Sequence, residues 1–167
     1  MKILITTILF CSLTFLAGAS PANISDNHPG LSQVLTAYYD VKNALVNSDF
    51  ATANTKAEQL VKSINEVDMK ALSAADHTAF MESQSKLLTN AQSIAAAKNL
   101  EAQRVAFSTL SNTIYTLAKA VKLSTDPVYQ AYCPMKKMYW LSNEAAIKNP
   151  YYGKMMLTCG KVTDTIQ

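Results

Sequence analysis

Glycine and histidine are the scarce residues in this chain, with 4 glycines and 2 histidines among 167 residues. There is no phosphate-cradling glycine loop, no G-x-S-x-G elbow, no H-E-x-x-H and no C-x-x-C-H. The usual frames for nucleotide binding, serine hydrolysis, zinc proteolysis and haem attachment are therefore missing. Charge is thin as well, at 16% of residues, and the basic side chains are interspersed with acids. Without a basic run, neither nucleic acid nor an anionic membrane surface is an expected partner. No apolar run reaches the roughly 20 residues of a membrane-spanning helix.

The chain opens with Lys2, an apolar stretch from Ile3 to Leu16 and the small residues Ala17-Gly18-Ala19. These are the three parts of a secretory signal peptide, expected over residues 1–19, so the mature protein is expected to be soluble and periplasmic or secreted. Setting those aside leaves about 148 of the 167 residues. That length suits one domain with its own core, expected over 31–167 behind a flexible segment at 20–30. Cys133 and Cys159 are the cysteines left in the mature chain.

Apolar positions at three- and four-residue steps predict four amphipathic helices. Leu31, Val34, Leu35, Tyr38, Val41 and Leu45 form the first stripe, and Phe50, Ala53, Ala57, Leu60, Val61, Ile64 and Val67 the second, after a Ser48-Asp49 cap. The third follows Ser73 and carries His77, Phe80, Gln84, Leu87, Ala91 and Ile94. The fourth follows Asn99 and carries Ala106, Phe107, Leu110, Ile114, Leu117 and Val121. Short links predict an all-α, antiparallel up-and-down four-helix bundle. Beyond Asp126-Pro127 the period fails, and Pro134, Pro150 and Gly153 predict a short irregular or helical tail.

That tail collects the soft atoms. Cys133 and Met135 are two apart, while Met156 and Cys159 are three apart and share a face if the last turn is helical. Thiolates and thioethers favour Cu(I) or Ag(I), with other thiophilic ions open to the same donors. The candidate metal ligands are thus Cys133, Met135, Met156 and Cys159, with His77 as a further imidazole on the third helix. Two cysteines in an exported chain also commonly form a disulfide. Closing the loop between them would stabilise the fold by roughly 3.5 kcal/mol. Methionines and the aromatics Trp140, Tyr151 and Tyr152 also serve as ordinary packing. A cysteine nucleophile would need an orienting third group and an oxyanion hole, which nothing supplies, so no enzyme is expected.

The fragments VYQAYCPM, WLS and NPYYGKMMLTCG, with QRVAFSTLSNTIYTLAKA upstream, resemble the bacterial domain of unknown function 3347 family. Its members occur alone behind a signal peptide or fused to periplasmic adaptor subunits of heavy-metal efflux pumps of the resistance-nodulation-division class. The resemblance runs from about Leu31 to the C-terminus and implies a helical bundle, export, and a link to copper or silver handling. It matches Cys133, Pro134 and Met135 to the family's C-P-M, and Trp140 to its W-L-S. Asn149, Pro150, Tyr151 and Gly153 match N-P-Y-x-G, while Met156, Cys159 and Gly160 match M-L-x-C-G. The match favours Met156 over Met155 as a ligand. Two features depart from relatives: the link from Lys136 to Tyr139 is short, and Ala106 stands where many relatives have histidine. The resulting expectation is a Cu(I) or Ag(I) chaperone or scavenger partnered with an efflux adaptor. The alternative is a disulfide-stapled module that docks such a partner without metal.

Overall fold

The computed structural model describes residues 29–167. The expected signal peptide and nearly all of the 20–30 segment lie outside the described residues. Helix α1, Pro29–Val46, starts at a proline, whose missing amide is tolerated in a first turn. It stops where Ser48 turns to a φ of 57°. Helix α2, Phe50–Asn65, is capped by Asp49, which accepts from the Thr52 amide at 3.0 Å. Helix α3, Ala74–Ala95, is capped by Ser73, and α4, Leu100–Ala120, by Asn99. Each cap satisfies an amide that the first helical turn leaves open.

The four helices run up and down, and their stripes meet in one core. Leu31, Val34, Tyr38, Leu45, Ala53, Leu60, Ile64, Phe80, Leu87, Ile94, Phe107, Leu110 and Leu117 are all fully buried. Among the described residues no helix is long and apolar enough to cross a membrane.

The expectation of an all-α protein with an irregular or helical tail is overturned. The tail folds into strands β1, Val128–Cys133, β2, Met138–Ser142, and β3, Lys161–Ile166, in an antiparallel sheet ordered β2-β1-β3. Tyr129, Tyr132, Tyr139, Trp140, Val162, Thr163, Thr165 and Ile166 are residues that suit a pleated, half-buried surface. Pro134 breaks no structure; it lies in the turn joining β1 to β2, where Lys137 has a φ of 56°. Only Gly153–Met156 is helical in the tail, as one 3₁₀ turn.

Side chains from the bundle and the tail complete the outer edge of β2. The Leu141 amide donates to Tyr38 Oη at 2.9 Å, and Tyr151 Oη donates to the Tyr139 carbonyl. The Tyr38 ring stacks on Phe107 with centroids 5.0 Å apart, and its hydroxyl also pairs with Ser111 Oγ at 2.8 Å. On the other side, β3 bulges at Thr163 and is tied to α4 by Asp164, which accepts from Tyr115 Oη at 2.7 Å and Lys119 Nζ at 3.2 Å. The hydrogen bond from Tyr115 first, and then that from Lys119, hold the Asp164 carboxyl below its ordinary range.

Candidate metal centre

Cys133 is the last residue of β1 and is fully buried. Tyr132 pairs with Lys161 across the β1–β3 ladder, so the chain enters β3 beside the end of β1. Cys159, two residues earlier than Lys161 and half-buried, is thereby brought to Cys133. Both are free thiols, and their side chains interact. Loss of solvent, then the charge and hydrogen bonding of Cys133, push the Cys159 thiol above its ordinary range.

Asn149 sets the position of Cys159. It is fully buried and its Nδ2 donates to the Cys159 carbonyl at 2.6 Å. Its Oδ1 accepts from the Tyr151 and Tyr152 amides at 2.8 and 3.3 Å, an Asx turn that starts the loop. Its own amide donates to the Leu157 carbonyl at 2.8 Å, and its carbonyl accepts from Gly153 at 3.0 Å. One side chain thus closes the segment from 149 to 159 on itself.

The other motif residues fix this loop to the bundle. Arg104, buried on α4, donates from Nε to the Pro150 carbonyl at 2.9 Å and from Nη2 to Ser48 Oγ at 3.1 Å. Gly153 has a φ of 58°, and a Cβ there would lie 2.9 Å from the Val46 carbonyl. A Cβ at Gly160 would lie 2.8 Å from the Trp140 ring and 2.9 Å from the Tyr132 carbonyl, so the approach of β3 to β1 requires glycine there. Trp140 and Tyr151 are buried edge to face, 5.9 Å between centroids, and Tyr151 reaches Phe107 at 6.1 Å. Burial pushes the Tyr151 hydroxyl far above its usual range. These aromatics clamp the tail.

The thioethers are arranged differently. Met135 is 64% exposed in the β1–β2 turn, and Met156 is 37% exposed. The Met156 carbonyl accepts from the Cys159 amide at 3.1 Å, so those two residues share one turn. Met155 points to solvent, 78% exposed.

His77 is not brought to this centre. It is exposed in the first turn of α3, and α3 runs antiparallel to α4, with Asn90 Nδ2 donating to Thr113 Oγ1 at 3.5 Å. The β1–β2 turn that follows Cys133 meets the opposite end of α4, where Lys136 pairs with Glu101 at 2.7 Å. The 21 residues of α4 span about 31 Å at 1.5 Å each, so its two ends lie far apart. Among the described residues no group of three His, Cys, Asp or Glu is placed to hold a metal. The donors brought together are the two thiols, and thiolate sulfur is a soft ligand.

Sequence reading missed Arg104, Lys42 and the linking role of the Tyr38 hydroxyl. Arg104 lies three residues before Phe107 and Lys42 four after Tyr38, so both occupy stripe positions. That spacing was the available signal.

The profile of a family described as "Protein of unknown function (DUF3347)" matches residues 34–126. This chain belongs to the DUF3347 family. The matched span runs from within α1 through α4 and stops before β1, so the C-P-M, W-L-S, N-P-Y-x-G and M-L-x-C-G segments lie beyond it. Neither a curated protein nor a solved structure matches the chain.

Proposed function

We propose that this DUF3347 protein is an exported soft-metal-binding protein that takes up Cu(I) or Ag(I) through Cys133 and Cys159, assisted by the thioethers of Met135 and Met156. The observation that carries the reading is the adjacency of the two thiols, held by the β1–β3 register and by Asn149. The protein binds cargo and performs no catalysis. Cys159, half-buried, receives the ion first, and the buried Cys133 supplies the inner sulfur. The thiolates provide charge and most of the affinity; the exposed thioethers favour a soft ion and allow exchange. Such a protein serves as a periplasmic chaperone or scavenger, passing its ion to the adaptor of a heavy-metal efflux pump. Adding Cu(I) anaerobically to the reduced chain should produce ultraviolet thiolate-to-metal absorption at one equivalent. The reading fails if that band is absent or survives replacement of both cysteines by serine.

The same adjacency favours a second reading, a disulfide between Cys133 and Cys159. Two thiols would give up two protons and two electrons to an exchanging disulfide, and the bond would staple β1 to the segment entering β3. The protein would then be an interaction module docking an efflux adaptor. In that case reduction lowers the melting temperature, and Cu(I) does not restore it.

A further inference from the structure

The strand register adds a sulfur atom that neither cysteine motif contains. In the β1–β2 hairpin Cys133, the last residue of β1, stands directly opposite Met138, the first residue of β2. Directly opposite residues of an antiparallel pair share one face of the sheet, with Cβ atoms about 4.5 to 5.5 Å apart. A methionine side chain is unbranched and turns about three bonds, so the Met138 thioether is within reach of the Cys133 thiol. Met135, by contrast, lies inside the turn and is 64% exposed.

The face that Cys133 and Met138 share is an inward one. The next pair on it, two residues along each strand, is Ala131 and Trp140, and each is 1% exposed. Met138 is half-buried and packs against the core, as does Cys159. Gly160, immediately after Cys159, lies so close to Trp140 that a Cβ would stand 2.8 Å from its ring. The chain bearing Cys159 is therefore on the Trp140 side of the sheet. Cys133 is common to both relationships: Cys159 meets it from the loop, and Met138 faces it from the neighbouring strand.

The chemistry of the third sulfur differs from that of the first two. Two thiolates already exceed the charge of a monovalent ion, whereas a thioether is a soft donor that brings no charge into a half-buried site. It strengthens the hold on Cu(I) or Ag(I) and gives little to Zn(II), which takes thiolate, imidazole and carboxylate ligands.

We propose that Met138 is an inner thioether ligand of the thiol site, forming with Cys133 and Cys159 a set of sulfurs that selects Cu(I) or Ag(I) over Zn(II). The assignment rests on the reading of the two thiols as a soft-metal site, and it leaves the exposed Met135 and Met156 as outer thioethers. Ag(I), which is diamagnetic, is titrated anaerobically into the reduced protein with its methionine methyls carbon-13 labelled, while ultraviolet thiolate-to-metal absorption reports the thiols. At one equivalent the band should appear and the Met138 methyl should shift, with the methyls of Met81 and Met155 unmoved. Met138→Leu nearly conserves volume, so the fold should persist. In a Cu(I) competition titration it should weaken binding by at least about tenfold, since a ligand should matter no less than an outer partner of a metal site, and by more than Met135→Leu does. Its Zn(II) affinity should equal that of the wild type. A band without a Met138 shift, or a Met138→Leu variant that holds Cu(I) as tightly as the wild type, overturns the assignment and leaves the thiol site standing. No band in the wild type removes the thiol site and the role of Met138 with it.

Discussion

The side-chain amide of Asn149 donates to the carbonyl of Cys159 at 2.6 Å while its oxygen caps the turn at Tyr151. Both ends of one buried amide are in use, so neither a carboxylate nor an apolar side chain reproduces it. Asn149→Ala should destabilise the fold by about 2 to 3 kcal/mol in urea denaturation, because the Cys159 carbonyl and the two turn amides lose their partner. Asn149→Asp keeps the acceptor and loses the donor. Its damage should grow as pH rises and the buried carboxyl ionises, which a pH series of unfolding midpoints reads directly.

Tyr38 joins bundle to sheet through a single oxygen, which accepts from Leu141 and pairs with Ser111. Tyr38→Phe preserves the stacking on Phe107 and leaves the Leu141 amide bare. A loss of about 1 to 3 kcal/mol is expected, together with faster amide exchange along β2.

Lys42 should oppose folding at neutral pH. Burial holds its amine at about 8 against an ordinary 10.5, so the unfolded chain binds the proton more tightly. Stability should therefore rise between pH 8 and the ordinary lysine range, where the unfolded state alone keeps its charge. Lys42→Met should remove that rise and stabilise the fold at pH 7 by up to about 3 kcal/mol, the equivalent of the shift.

The raised Cys159 thiol gives a second, opposite slope. The folded state keeps this proton, so its contribution is full below the ordinary thiol range and is lost as pH rises through the raised value. Metal uptake must displace the proton. Affinity for Cu(I) should accordingly increase by at least about tenfold per pH unit below that range. A pH-independent affinity would remove Cys159 from the ligand set.

Met155 and Met156 separate the thioether roles. Met155, 78% exposed, should be replaceable by leucine without effect. Met156→Leu combined with Met135→Leu should weaken Cu(I) binding while leaving the two-thiolate core in place. Equal losses from Met155→Leu and Met156→Leu would contradict the assignment.

The helices were legible because each stripe is long, and because Asp49, Ser73 and Asn99 are strong caps at its start. The strands were not. Each has six residues or fewer, too short for alternation to compete with the reading of Pro134, Pro150 and Gly153 as breakers. The proline in fact occupies a hairpin turn. Cys133 and Cys159 were identifiable as a pair by residue type, but the register that brings them together depends on the Gly160 approach to Trp140. His77 looked internal because its spacing fits the α3 stripe, yet the first turn of that helix overhangs the core and leaves it exposed. Lys42 and Arg104 stood on the stripes of their own helices and were hidden by their charge, since a cation at such a position is ordinarily solvated.

The central claim is tested most directly by an anaerobic Cu(I) competition titration of the reduced protein against a chromophoric chelator, beside a variant with Cys133 and Cys159 both changed to serine. The account predicts tight one-to-one binding by the wild type that vanishes in the variant while the variant stays folded. No competition by the wild type, or the same competition by both proteins, would contradict it.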